Sequence, residues 1–184
     1  MVGDDELYSA FLAGNTDKYD ALMIRYGDNL TFYLFGYLHD WHDAEDLMIE
    51  AFARIMVKRP RIGEGNFKAY LYKTARNLAS RFNSHKKRYS VYSFDDINEE
   101  PYSAELTEKI IQDEEKRRIL HLCLDRIEPE LREVLWLVYF EDMSYDEAAQ
   151  VLSVNRKRVD NLLQRGKAHL RVELAKEGLA AAFD

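Results

Sequence analysis

The sequence predicts an all-α chain built as two small helical domains. Only 3 prolines and 8 glycines punctuate its 184 residues, and β-branched alternation is scarce, which argues against strands. Apolar residues recur at i, i+3, i+4 and i+7 nearly throughout, the spacing of one helix face. One acidic stretch, 89–103, holds Pro101 and shows no period, so it reads as a linker. With 47% hydrophobic residues, including 12 Tyr and 9 Phe, a packed core is within reach.

The elements follow in order. Residues 4–13 form a short amphipathic helix closed by Gly14-Asn15. Thr16 is placed to cap a second helix, whose apolar set Tyr19, Leu22, Met23, Tyr26, Leu30, Tyr33, Leu34, Tyr37 and Leu38 keeps the helical spacing. A third runs from about Asp43 to Lys58. Arg59–Gly65, with Pro60, Gly63 and Gly65, reads as a loop. Asn66 then caps a fourth helix to about residue 84. The second block starts near Ala104. Pro129 suits a helix first turn after Glu128, Ser144-x-x-Glu147 is a capping box, and Asn155 caps a last long helix to about Ala175. The expected domains are 1–88 and 104–184, joined by the linker 89–103.

Composition narrows the function classes. No run of about 18 apolar residues exists, so no membrane insertion is expected. The acidic start MVGDDELYSA lacks the apolar core of a signal peptide. One cysteine, Cys123, excludes an internal disulfide framework. These features predict a cytoplasmic protein.

The net charge of −7 argues, as an average, against a nucleic-acid partner. By segment it is far from uniform: −9 over 1–53, +10 over 54–88, −8 over 89–115, −3 over 116–154, +5 over 155–171 and −2 over 172–184. Two basic islands sit in an acidic chain.

The second island lies in Ser144–Leu170, which reads helix, tight turn, helix, with the turn at Leu152-Ser153-Val154. At 100° per residue, Val159, Leu162, Leu163, Gly166 and Leu170 share one face of the last helix. Lys157, Arg158, Asn161, Gln164 and Arg165 share the other. That is the division expected of a helix-turn-helix recognition helix. Arg and Lys suit guanine edges, while Asn and Gln suit adenine edges.

In the first island, Phe67, Leu71, Ala75, Leu78 and Phe82 share one face, and Lys73, Arg76, Asn77, Ser80, Arg81 and Ser84 the other, with Lys86, Lys87 and Arg88 following. Tyr70 and Tyr72 flank the basic face. Basic residues with interleaved rings suit single-stranded nucleic acid, where charge tracks the backbone and rings stack on bases. Between the N-terminus and this island, Asp43, Asp46 and Glu50 form a stripe at i, i+3 and i+7, with Glu45 beside them. Hard-cation loops need a tight Gly-containing geometry that is absent here, which favours a protein contact. Histidine pairs and Cys123 have no second ligand pair at metal spacing, so neither metal nor cofactor is assigned.

These three sites, in this order, resemble a family. DAEDLMIEAF, residues 43–52, is similar to the DAEDLxQExF signature of bacterial sigma factor region 2. FKAYLYKTARNLA, residues 67–79, resembles the F-x-x-W-L-x-x-I-A-x-N-x-A helix that follows it. Ser144–Leu170 resembles the S-x-x-E-I-A-x-x-L-G-V-S-x-x-T-V-x-x-x-L-x-R-A/G pattern of region 4. With two domains only, the chain resembles the extracytoplasmic-function (ECF, group 4) class.

The resemblance implies a transcription initiation factor without catalytic residues. Its partners would be core RNA polymerase, through the β′ clamp helices and β flap, promoter DNA and an anti-sigma factor. Asp43, Glu45, Asp46, Glu50 and Phe52 would dock on polymerase. The loop 59–66 and the helix after it would meet the minus-ten element and hold an unstacked base, through Arg61, Tyr70, Lys73, Arg76, Asn77, Arg81, Lys86, Lys87 and Arg88. The minus-thirty-five element would fall to Lys157, Arg158, Asp160, Asn161, Gln164, Arg165 and Lys167. The acidic linker would thread the polymerase cleft.

Departures from the family pattern concentrate at contact positions. Tyr70 stands where Trp is usual, Arg81 where Asn or Asp is typical, Arg158 where Thr is usual, and Asp160 at an often basic position. The promoter sequence therefore does not carry over. The alternative class is a dimeric helix-turn-helix regulator of duplex DNA, which leaves the acidic stripe and the first basic island without a role. No paired-carboxylate pocket, nucleophile elbow or phosphate loop points to an enzyme.

Overall fold

The computed structural model describes residues 2–89 and 114–178, with side chains described for 2–85 and 119–178. Beyond Tyr89, the expected linker 89–103 lies outside the described residues, as do the start expected near Ala104 and the side chains of Lys86, Lys87 and Arg88. The chain divides into two compact units, 1–96 and 97–184. Every described element is helical.

The first unit packs four helices: α1 (Asp4–Leu12), α2 (Asp17–Leu38), α3 (Trp41–Lys58) and α4 (Phe67–Tyr89). Acidic Asp4, Asp5 and Glu6 fill the first turn of α1, where the helix dipole favours them. Gly14, at φ 110°, lets the chain turn out of it. Thr16 does not cap α2 through its side chain. Its backbone is already helical, at φ −64° and ψ −34°, whereas a capping hydroxyl needs an extended residue. Asp40 is such a residue before α3, and its carboxylate accepts the Asp43 N–H. α4 runs about five residues beyond the expected end.

The core of this unit is aromatic. The Phe11 and Tyr19 rings lie 4.5 Å apart, Tyr19 meets Phe52 edge-on at 5.9 Å, and Tyr8 meets Phe67 at 5.2 Å. Tyr19 is buried and donates to the Phe52 carbonyl at 2.6 Å. Burial pushes its phenol pKa up, so the hydroxyl stays a donor. Arg25 and Tyr26 of α2 both donate to the Asp4 carboxylate, which fastens the start of α1.

The second unit holds α5 (Glu114–Asp125), α6 (Pro129–Leu135), α7 (Tyr145–Leu152) and α8 (Arg156–Lys176). α6 continues into a π-helical turn, Trp136–Phe140, in which the two end rings stack at 4.5 Å. Pro129 occupies the first turn of α6. The Ser144–Glu147 capping box is complete, with each side chain bonded to the other's backbone N–H. Ser153 turns the chain at φ 57°, and the Asn155 side chain accepts the Arg158 N–H to start α8.

α6 and α8 pack closely at Gly166. An added Cβ there would stand 3.1 Å from Leu135 Cγ and 3.3 Å from the Leu131 carbonyl. Gly166→Val should lower stability by about 1–3 kcal/mol through overpacking, read as a lower denaturation midpoint. His121, whose ring lies 6.5 Å from that of Phe140, has its pKa lowered by burial, against a smaller opposing pull from Asp125. Unfolded imidazole titrates near about 6.5. As pH falls through that value, the unfolded chain takes up a proton that the folded chain refuses. The second unit should lose stability from about pH 7 to pH 5. His121→Leu should lessen that loss in thermal melts at the two pH values; an unchanged pH dependence would exclude His121 as its source.

Candidate nucleic-acid and partner interfaces

The α8 division is sharp. Val159, Leu162, Leu163, Gly166 and Leu170 are all buried, while Lys157, Arg158, Asn161, Gln164, Arg165 and Lys167 are all exposed. Asp160 is half-buried and accepts from Gln164 at 3.3 Å. α7 and the Ser153 turn set this helix on the unit with its polar side outward.

Three arginines of α8 meet carboxylates of the same unit. Arg158 reaches Glu130 at 3.1 Å, Arg165 reaches Glu128 at 3.4 Å and Arg156 reaches Asp146 at 2.9 Å. The side chains of Arg158 and Glu130 are 47% and 49% exposed, so the pair contributes at most about 1 kcal/mol and exchanges readily for another anion. Sequence reading missed these partners, which lie 28 and 37 residues away for Arg158 and Arg165. No local pattern reports such a distance. Lys167 sits 5.2 Å over the Tyr139 ring, and a hydrogen bond with that phenol raises its pKa.

On α4, Phe67, Leu71, Ala75 and Leu78 are buried and Phe82 is half-buried. Asn77 and Arg81 are exposed, while Tyr70, Lys73 and Arg76 are half-buried at the edge of the core. Tyr72 does not flank the basic face: it is fully buried, its ring 5.1 Å from Tyr33. On the helical wheel Tyr70 and Tyr72 stand equally far from the centre of the apolar face, on opposite sides of it, so packing against Tyr33 rather than the period draws Tyr72 into the core.

Before α4, the loop 59–66 leaves Arg61, Gly63 and Glu64 exposed. Its ends are held. Arg59 closes α3 at φ 44° with its guanidinium 4.9 Å over the Phe11 ring. The Pro60 carbonyl accepts from Tyr8 Oη at 2.8 Å, and the Gly65 N–H donates to both Asp5 oxygens at 3.0 and 2.8 Å.

On α3, Asp46 and Glu45 are exposed, Asp43 and Glu50 half-buried. Glu50 pairs with Arg54 at 2.6 Å and Glu45 accepts from the Trp41 indole at 3.1 Å. Phe52 stands apart from these four: at 1% exposure its ring lies inside the core against Tyr19. Sequence reading also missed Ile49, Met56 and Val57, which are exposed at 54%, 43% and 80%. At i, i+7 and i+8 they share one outward face. The signal was present, since apolar residues span more of the α3 circumference than one buried stripe needs.

Comparison with known proteins follows the same division. Residues 22–89 match the model of sigma-70 region 2 and residues 117–170 that of sigma-70 region 4, together more than half of the chain. The chain is 27% identical over 166 residues to the ECF RNA polymerase sigma factor SigE of Mycolicibacterium smegmatis, covering 90% of this chain and 65% of that protein. It is 27% identical over 148 residues to the RNA polymerase sigma factor SigV of Bacillus subtilis, covering 79% and 84%. The chain thus spans just under two thirds of the first relative and most of the second. Among solved structures, CnrH, determined with the cytosolic domain of CnrY, matches at TM-score 0.67 and 22% identity over 94% of this chain and 97% of that one. The sigma factor RpoE of Bartonella quintana, determined with the anti-sigma factor NepR, matches at 0.67 and 16% over 85% and 96%. Both similarities show the fold. A duplex-binding dimeric regulator would give no account of the region 2 match. With both regions present in order and ECF proteins among its relatives, the chain belongs to the sigma-70 family of transcription initiation factors, as a sigma factor of the ECF type.

Proposed function

We propose that the chain is a cytoplasmic group 4 sigma factor, acting without catalysis of its own, that brings core RNA polymerase to a promoter and assists its melting. The observation that carries this reading is the separation of charge by helix: a carboxylate face on α3, basic faces on α4 and α8, each opposite a buried apolar face. α8 reads the minus-thirty-five element in the major groove, with Asp160, Asn161 and Gln164 toward base edges and Arg158 and Arg165 toward phosphates. A half-buried Asp160 serves as an acceptor for a cytosine amine. Loop 59–66 and the α4 residues Tyr70, Lys73, Arg76, Asn77 and Arg81 meet the opened minus-ten strand, where the bound base offsets the few kcal/mol that unstacking costs.

α3 docks on polymerase through Asp46, Glu45, Asp43 and Glu50, with the exposed Ile49, Met56 and Val57 supplying apolar contact beside them. Phe52 acts from inside, holding α3 in place. An anti-sigma factor, as NepR is to the RpoE of Bartonella quintana, would cover surfaces of this kind.

Transcription from a promoter pool with added core polymerase tests the whole reading; a protein that binds no core overturns it. Charge reversal at Asp46 and Glu50 should weaken core binding by about tenfold or more. Folding should be nearly unaffected, since the lost Glu50–Arg54 pair is worth only about 0.3–0.5 kcal/mol. Unchanged affinity would remove α3 as the docking site. Arg165→Ala should weaken promoter binding by the holoenzyme and reduce the magnitude of the slope of log affinity against log salt by about 1. An unchanged slope would take Arg165 off the phosphate contacts.

A further inference from the structure

Loop 59–66 is eight residues of irregular chain between two helices, with two glycines and an exposed crest. Such a segment samples many conformations unless something outside it intervenes. Here the intervention comes from α1, which lies outside the region 2 match of 22–89. Three contacts reach the loop from three successive turns of that helix. Asp5 receives the Gly65 N–H on both carboxylate oxygens, Tyr8 donates to the Pro60 carbonyl, and Phe11 underlies the Arg59 guanidinium. They grip both ends of the loop and leave Arg61, Gly63 and Glu64 exposed between them. The two gripped ends include its strained and permissive backbone positions, Arg59 at φ 44° and Gly65 at φ 72°.

The hold is itself anchored. Arg25 and Tyr26 of α2 fix Asp4, one residue before Asp5, and Tyr8 packs on Phe67, the first residue of α4. α1 therefore ties the loop to the same core that sets the direction of α4.

We propose that α1 is a positioning element for promoter opening: Asp5 and Tyr8 preset the 59–66 loop in the form that receives the unstacked minus-ten base. This rests on the reading of that loop as a minus-ten contact. The cost of ordering the loop is then met when the chain folds rather than when DNA arrives, so opening is faster while core docking through α3 and duplex reading through α8 are untouched.

The test uses holoenzyme made with the full chain and a promoter selected from the pool, carrying 2-aminopurine in the non-template strand of its minus-ten element. Asp5→Ala with Tyr8→Phe keeps α1 helical and keeps the ring packing while removing the hydrogen bonds to the loop. A charge-assisted bond and a neutral one are lost, so the 2-aminopurine fluorescence rise that follows opening should slow by about tenfold. Core affinity and binding to a duplex holding only the minus-thirty-five element should stay within about twofold. Asp5→Glu alone, which restores an acceptor, should recover most of the rate. Arg61→Ala with Ile62→Ala separates the two ideas. If those loop changes slow opening and the α1 changes do not, the positioning role is wrong and the loop reading stands. If neither pair slows opening, the loop reading fails and takes the proposal with it. If the α1 pair lowers core affinity as much as it slows opening, α1 only supports the fold and the positioning role is overturned.

Discussion

The constraint on which this molecule depends is the small size of its two units. Each holds fewer than 100 residues, and a core that small cannot absorb the desolvation of many charges. Among the described residues only two charged side chains are buried, Glu133 and Glu141, and Glu141 is met by the Trp136 indole. Nearly every other charged side chain among the described residues is pushed to the outer side of its helix. Once burial fixes which side of each helix faces in, the sign of the outer side is free, and it differs from helix to helix. The net charge of −7 is an average over those surfaces and describes none of them.

Whatever depends on helical period was legible in the sequence. The buried and exposed sets of α8 fall where the wheel places them because Val159, Leu162, Leu163, Gly166 and Leu170 form one unbroken stripe, and local caps at Ser144 and Asn155 mark where it begins. What failed depends on tertiary partners. Tyr72 is a ring that Tyr33 claims for the core. Phe52 sits within a conspicuous acidic motif, yet its position in the turn points it at Tyr19. Thr16 has a capping side chain but the wrong backbone conformation. The hold of α1 on the 59–66 loop spans 52 and 60 residues of chain, and its donors and acceptors, a phenol, a carboxylate and two backbone groups, leave no pattern in the local sequence.

The carboxylates facing α8 alter how its basic side should be understood. Arg158 and Arg165 are held by Glu130 and Glu128 in pairs exposed enough to be weak. A DNA phosphate admits the same forked geometry, and its neutralisation also releases counterions held along the strand, which an exposed glutamate does not offer. In the proposed complex, exchange therefore runs toward DNA when DNA is presented in register. Away from that register the glutamates remain close by, and their charge opposes a phosphate that approaches without the base contacts proposed for Asn161 and Gln164. On that reading, weak general affinity and usable specific affinity arise from the same surface.

α3 reaches a similar balance by a different route. Its outer side combines carboxylates with Ile49, Met56 and Val57 rather than carrying charge alone. Charge accelerates encounter and sets orientation, but it is screened within about 10 Å at ordinary salt. Apolar contact persists once the surfaces meet and weakens little with salt. The docking role proposed for α3 needs both: charge that acts before contact, and apolar side chains that hold once contact is made. Three exposed apolar side chains beside four acids fit that requirement, and the aromatic core behind them, with Phe52 and Tyr19 at its centre, keeps the helix that carries them in place.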